Sequence, residues 1–154
     1  MDNSLNGLLL INGRDVWAEF SAFLAEESPS GHENYNALLK PAKTKAHVSV
    51  GLREENGERL AADLLPRTEG RDIELRFAMV ADTPQQYLTR FRTFIAFLKA
   101  GDKGWLTLRL PTLDLTLRCY YKDCAQLTQL TPIDGGSCQG AVLRILFREP
   151  VSSF

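Results

Sequence analysis

Residues 71–104 read RDIELRFAMVADTPQQYLTRFRTFIAFLKAGDKG, and this stretch decides the fold. In its first part apolar and polar residues alternate, which is typical of a strand with one buried and one wetter face. The apolar residues that share the buried face are Ile73, Leu75, Phe77 and Met79. The opposite face carries Glu74, Arg76 and Ala78. The alternation therefore predicts a central strand that lies on the core.

The second part of the stretch predicts one amphipathic helix. Thr83-Pro84-Gln85-Gln86 is typical of a capping box, in which the Thr83 hydroxyl accepts from the Gln86 amide and the Gln86 side chain reaches back. Pro84 suits the first helical position, and Gly101 suits the first position beyond the helix. The predicted apolar stripe consists of Tyr87, Leu88, Phe91, Phe94, Ile95 and Leu98. We expect this stripe to lie on a sheet.

The rest of the chain favours short strands. They are predicted at residues 8–11, 16–24, 48–52, 105–110, 113–121, 125–131 and 141–148, with a glycine-rich turn at 132–140, and residues 35–45 are ambiguous. About seven or eight strands with a single helix favour a mainly β protein of the α+β class. We expect a β-sandwich or half-barrel with one amphipathic helix packed on a sheet, in a single domain over residues 1–154.

Composition argues against several partners and compartments. The net charge of -1 gives no electrostatic reason to expect nucleic acid or an acidic membrane surface. The run Leu8-Leu9-Leu10-Ile11 is too short for a signal core or a membrane span, so we expect a protein made and kept in the cytoplasm. Three cysteines cannot all pair within one chain, which favours free thiols in a reducing compartment.

Candidate catalytic and metal-binding groups are sparse. The cysteines Cys119, Cys124 and Cys138, with His32 and His47, lack the two close pairs that structural zinc sites use, so we expect no metal and no cofactor. A cysteine–histidine nucleophilic pair is formally possible, but no cysteine is marked as activated. Gly135-Gly136 is not followed by the lysine and helix of a phosphate loop. The sequence therefore predicts a protein that is not an enzyme.

Residues 53–70 form a long charged excursion between predicted strands, and we interpret them as a protruding arm or a hairpin that turns at Asn56-Gly57. Leu60, Leu64 and Leu65 have no obvious core to enter from such a segment, so a subunit contact would bury them. A local cluster folded back on the domain is the alternative. The predicted subunit interface consists of Leu60, Leu64, Leu65, Arg67, Glu74 and Arg76.

The order of these features resembles the N-terminal domain of the distal tail protein of long-tailed bacteriophages, and more loosely the tail-tube family that shares its fold. The opening Asn12-Gly13-Arg14-Asp15 with Phe20 is similar to that family's opening. Similar features follow at the arginine-bearing entry to the central strand (residues 66–75), the strand–helix–strand core (81–105) and the closing residues 146–150.

The resemblance implies a structural role. Members of that family form a hexameric ring that joins the tail tube to the tail tip or baseplate, with an arm that embraces the neighbouring subunit. We therefore expect a homo-oligomeric phage or prophage tail protein that contacts other tail or baseplate proteins. It would assemble in the host cytoplasm and reside in the virion tail. Many relatives continue into a carbohydrate-binding-like domain, so receptor binding is not expected of these 154 residues alone.

A small-ligand or carbohydrate-binding β-sandwich is the alternative function. It requires a concave face with several exposed aromatic rings, and the available candidates are Trp17, Trp105, Tyr120 and Tyr121. A small cysteine-dependent hydrolase is a third and weaker hypothesis.

Overall fold

The computed structural model describes residues 6–28, 30–47, 49–51, 53–54, 56–131 and 138–152. Within them the strands are β1 (Leu10–Ile11), β2 (Arg14–Asp15), β3 (Ala22–Leu24), β4 (Ser49–Val50), β5 (Arg59–Leu60), β6 (Arg71–Ala81), β7 (Leu106–Leu110), β8 (Leu115–Gln129) and β9 (Gln139–Glu149). The helices are α1 (Val16–Phe20), α2 (Glu33–Leu39) and α3 (Pro84–Ala100), and one 3-10 turn covers Pro111–Leu113. Parts of two predictions lie outside these ranges. They are the ends of the predicted strand 48–52, Val48 and Leu52, and the pair Gly135-Gly136 that was compared with a phosphate loop.

Seven of the described strands form one curled antiparallel sheet in the order β2-β1-β7-β8-β9-β6-β3. This confirms the mainly β class and selects the half-barrel from the two predicted architectures. Strand β6 pairs with β9 along its whole length, from Arg71 opposite Glu149 to Ala81 opposite Gln139. These two fully paired strands therefore provide the floor of the core.

The core lies between this floor and α3, as the alternation in β6 and the helical periodicity predicted. The buried residues of β6 include Ile73, Leu75, Phe77 and Met79. The Phe94 ring of α3 lies 5.6 Å from the Phe77 ring in an edge-on arrangement, and Leu98 is fully buried beside it. Leu88 is largely exposed, so its inclusion in the buried stripe was wrong. It lies at the margin of the stripe, where α3 turns away from the sheet.

The ends of α3 follow from local chemistry. The Thr83 hydroxyl accepts from the Gln86 backbone N–H at 3.1 Å, while the Gln86 side chain accepts from the Asp82 N–H, one residue before the cap. Gly101 follows the last helical residue, Ala100, as the C-cap, with a φ of +48°. A Cβ there would lie 2.5 Å from the Trp105 carbonyl oxygen, so the tight return into β7 requires glycine.

The prediction of a single helix was wrong. Residues 16–24 were predicted as one strand, but the Asp15 carboxylate accepts from the Trp17 N–H and starts α1, and Ser21 ends it in the left-handed region. Only Ala22–Leu24 is a strand. Helix α2 occupies part of the segment whose conformation the sequence left ambiguous. Both helices are too short to establish a helical period in the sequence.

The predicted strands 113–121 and 125–131 are in fact one strand, β8. Its register against β9 shifts between Tyr121 and Asp123 and again between Cys124 and Gln126. Each irregularity inserts one residue into β8 and interrupts the alternation of apolar side chains. The sequence pattern of this continuous strand therefore resembles that of two separate strands. The first part of β8, from Leu115 to Cys119, pairs with β7, and the rest of β8 pairs with β9.

Candidate subunit interface

The excursion predicted as an arm, residues 53–70, forms a two-stranded ladder with the residues just before it. Strands β4 and β5 pair antiparallel, with Ser49 opposite Leu60 and Val50 opposite Arg59, and this pair is separate from the seven-stranded sheet. Gly57, in the connection, has a φ of +78° that suits a tight turn. We refer to residues 49–69 as the arm. The two strands of the arm are therefore hydrogen-bonded to each other and do not join the main sheet.

The arm exposes its leucines. Leu60, Leu64 and Leu65 have 42%, 48% and 67% of their surface accessible, and Val50 is exposed as well. An exposed apolar side chain is common by itself, but several on one segment indicate a contact surface. The isolated chain does not bury these side chains in its core.

The chain segments that lead into and out of the arm are hydrogen-bonded to each other. The Lys45 N–H donates to the Arg67 carbonyl at 2.7 Å, and the Glu69 N–H donates to the Lys43 carbonyl at 2.8 Å. At Gly70 a Cβ would meet the carbonyl oxygens of Glu149 and Pro150 at 3.0 Å. The returning chain therefore lies directly on the end of β9.

The other two predicted interface residues lie on β6. Glu74 is exposed on the outer face of the sheet. Arg76 is half-buried, and its Nη1 donates to the Glu26 carbonyl at 2.7 Å, so this arginine already holds the loop after β3. Arg76 also lies directly opposite Arg144 on β9. The predicted set is thus divided between the arm and the sheet.

Two buried polar groups hold this region, and sequence reasoning missed both. Arg71 Nε donates to Glu149 Oε1 at 3.0 Å, and Arg71 Nη1 donates to the Lys40 carbonyl. The Asn34 side chain accepts from the Arg76 N–H at 2.7 Å and donates to the Ala25 carbonyl at 3.0 Å. The partners are far apart in sequence, so no local motif signals them.

A surface ion cluster lies beside the arm root. Asp72 accepts from Arg148 Nη1 at 3.1 Å and from Lys122 Nζ at 3.2 Å. Partial burial raises the pKa of Asp72, but the hydrogen bonds from Arg148 and Lys122 outweigh it, so the pKa is lowered. The outer face at this end of the sheet therefore carries an ionised carboxylate at neutral pH.

A second surface feature, also missed from the sequence, is an apolar pocket of about 140 Å³. Its walls come from α1, β3, the start of α2 and the segment before β1, and they include Trp17, Phe23 and Tyr35. The Trp17 and Phe23 rings lie 5.7 Å apart in an edge-on arrangement. Asp15 and Glu26 add carboxylates to the lining. The pocket can accommodate an apolar group next to a positive charge.

The aromatic residues of the alternative ligand-binding hypothesis lie in different places. Trp17 is in the apolar pocket, whereas Trp105 lies under the Arg118 guanidinium at 4.2 Å and edge-on to Tyr120 at 5.9 Å. Tyr121 lies under Lys99. The four rings do not line a common concave face.

Among the described residues, no group of three or more His, Cys, Asp or Glu side chains is placed to hold a metal ion. Burial and the nearby Glu149 carboxylate raise the pKa of Cys119 to about 12, so it is a poor nucleophile at neutral pH. His32 and His47 are exposed. In the part of the chain that the structure covers, no helix is long and apolar enough to cross a membrane.

The fold is similar to that of the SPP1 Dit protein. The crystal structure of this phage protein (gp 19.1) superposes with a TM-score of 0.52 at 13% sequence identity. The match covers 90% of this chain and 48% of Dit, so the chain spans about half the length of that protein.

Dit is described as a paradigm of the hub adsorption apparatus in phages that infect Gram-positive bacteria. At this identity the likeness concerns the fold, and in fold it agrees with the resemblance to distal tail proteins inferred from the sequence. The sequence matches no protein-family model. It also matches none of the curated proteins.

Proposed function

We propose that this chain is a non-enzymatic structural component of a phage or prophage tail. It assembles with copies of itself into a ring that links the tail tube to the tail tip or baseplate. The observation that carries the proposal is the likeness to the SPP1 hub protein over 90% of the chain. The resemblance in motif order supports the same role and a ring of six subunits.

The exposed arm supports self-assembly on physical grounds. A ring of identical subunits uses head-to-tail contacts, in which two different surfaces of the subunit meet and the rotation closes. Leu60, Leu64 and Leu65 offer one such surface, with Arg67 next to them. Glu74 on the outer face of β6 and the half-buried Arg76 would extend the predicted interface from the arm onto the sheet. Other tail proteins would bind the two faces of the ring, in the host cytoplasm during assembly and then in the virion.

The test is the oligomeric state of the purified full chain, measured by native mass spectrometry and light scattering over a range of concentrations. We expect a closed oligomer that negative-stain electron microscopy shows as a ring. The triple variant Leu60→Ser, Leu64→Ser, Leu65→Ser should shift the population toward monomer and keep the circular dichroism spectrum of the parent.

A matched control replaces three leucines of similar exposure outside the arm, Leu39, Leu88 and Leu113, with serine. This control should assemble as the parent does. A parent chain that stays monomeric at high concentration would contradict the proposal. Loss of folding in the arm variant would show that the arm belongs to the core.

A further inference from the structure

The apolar pocket is the right size for one side chain. Its volume of about 140 Å³ is close to that of the roughly 150 Å³ apolar cavity that binds a single benzene molecule. Trp17, Phe23 and Tyr35 provide apolar walls, and the pocket is open to solvent rather than sealed in the core. One branched or aromatic side chain of a protein partner would fill it.

The polar part of the lining specifies the charge of the partner. Asp15 and Glu26 are the acidic residues of the lining, and no lysine or arginine contributes to it. Asp15 accepts from the N–H groups of Gly7 and Trp17, and Glu26 accepts from the Asn34 N–H. These donors are backbone N–H groups, so each carboxylate retains lone pairs that can accept from a partner. Burial and a hydrogen bond with the Glu33 side chain raise the pKa of Glu26, and a cation brought by a partner would favour its ionised form. The pocket therefore suits an apolar side chain with a cation close to it.

The arm carries this combination at Leu64-Leu65-Pro66-Arg67. Leu65 is more exposed than Leu60 and Leu64, and Arg67 is exposed as well. Pro66 biases Leu65 toward an extended backbone, in which residues two apart point to the same side. Leu65 and Arg67 can therefore reach a single surface together.

Building on the proposed ring, we propose that residues 64–67 of one copy dock in the apolar pocket of the next copy. Leu65 fills the space beside Trp17 and Phe23, and the Arg67 guanidinium lies against Asp15 and Glu26. The contact excludes water from the tryptophan ring and pairs two carboxylates that the isolated chain leaves at the surface.

The positions of the two surfaces favour a contact between copies. The arm returns to the sheet at Gly70, next to the start of β6, whereas the pocket lies along β3, which pairs with Phe77 and Met79. Arg71 and Phe77 are six positions apart along β6, which is about 20 Å. Two complementary surfaces at separate places on one subunit make a heterologous contact, and such contacts build rings.

The direct test uses a synthetic peptide of residues 59–67, RLAADLLPR, as the probe. The host is the full chain with Leu64→Ser and Leu65→Ser, so that its own arm does not compete, and with Trp105→Phe, so that Trp17 is its only tryptophan. We expect a saturable change in Trp17 fluorescence. A peptide with serine at positions 64 and 65 should bind at least about tenfold more weakly, because it lacks the leucine burial.

The charge of the pocket is tested separately with Glu26→Gln in the same host. The amide oxygen still accepts from Asn34, so the fold is retained, and peptide binding should weaken several-fold and become less sensitive to salt. Asp82→Asn, an exposed carboxylate outside the pocket, is the matched control and should leave binding unchanged. Equal titrations by the leucine and serine peptides, or no response of Trp17, would overturn the assignment.

Cross-linking separates this inference from the ring itself. Chains with Leu65→Cys and chains with Tyr35→Cys, both with Cys124→Ser and Cys138→Ser, are mixed and oxidised, and we expect a disulfide between different chains. If the chain assembles but forms no such cross-link and does not bind the peptide, docking in the pocket is contradicted, whereas ring assembly is not. A chain that binds the peptide but stays monomeric would support the pocket and contradict the ring.

Discussion

Arg71 and Glu149 form an ion pair at the first residue of β6 and the last residue of β9, with the Arg71 Nε 3.0 Å from Glu149 Oε1. Both side chains are buried, and Glu149 is completely inaccessible to solvent. A buried charge is tolerated only when it is paired and hydrogen-bonded. The pair therefore fixes the ends of the two central strands to each other.

Glu149→Ala is expected to lower the free energy of unfolding by about 3–5 kcal/mol, because it leaves the Arg71 charge buried without its carboxylate. The single variants Arg71→Met and Glu149→Leu should each lose more stability than the double variant Arg71→Met, Glu149→Leu, since only the double variant removes both charges. Urea unfolding gives both values. Asp114→Asn, which breaks the exposed pair with Arg109, is the control and should cost under about 1 kcal/mol. Additive single and double effects would contradict a specific pairing.

Asn34→Ala is expected to destabilise the protein by about 1–3 kcal/mol. The buried Asn34 amide satisfies the backbone of both Arg76 and Ala25, and its removal leaves these groups unpaired where α2 meets β6. The exposed Asn36, two residues later in the same helix, gives the control Asn36→Ala. That change should be neutral or slightly stabilising, because alanine favours helix. Thermal unfolding of the two variants checks the difference.

Asp72 should contribute stability that depends on pH. Its pKa in the folded state is lowered, because the bonds from Arg148 and Lys122 outweigh burial, so the contribution is present above the unfolded pKa of about 3.9. It is lost as the pH falls through the lower folded pKa. Asp72→Asn should therefore cost up to about 1 kcal/mol at pH 7, because the pair is partly exposed, and less as the pH falls through the folded pKa. An equal cost at pH 7 and below the folded pKa, measured by urea unfolding, would contradict this.

The three thiols should differ in reactivity toward iodoacetamide at pH 8. Cys138 is exposed and should react first, whereas Cys119, with a pKa of about 12, should react only after unfolding. Burial also raises the pKa of Cys124, so its labelling should be intermediate. Mass spectrometry of the labelled peptides gives the order. Rapid labelling of Cys119 in the folded protein would show that the interior opens beneath β8.

The sequence predicted the elements whose chemistry is local and periodic. Strand β6 has a clean alternation, and α3 has a cap, a stripe and a terminal glycine, so both were found near their actual bounds. Helix α1 was not predicted, because it has only five residues and depends on the single cap at Asp15. Strand β8 was divided because its two irregularities disturb the alternation.

The candidate sites divide in the same way. The exposed leucines of the arm could be suspected because a charged segment has no core to bury them. The Arg71–Glu149 pair joins residues 78 positions apart, and the apolar pocket is assembled from five separate segments. Both depend on the path of the chain in three dimensions. No property of Trp17 or Glu149 alone distinguishes them from ordinary aromatic and acidic residues.

The close approach at Gly70 has a mechanical consequence. Glycine brings the returning arm within van der Waals reach of the Glu149 and Pro150 backbone, where the two chain segments touch directly. A neighbour that pulls on the arm would therefore load the carboxyl end of β9 first, and through it the ion pair with Arg71. The buried Arg71–Glu149 pair, and not flexible surface side chains, would therefore resist a force applied to the arm.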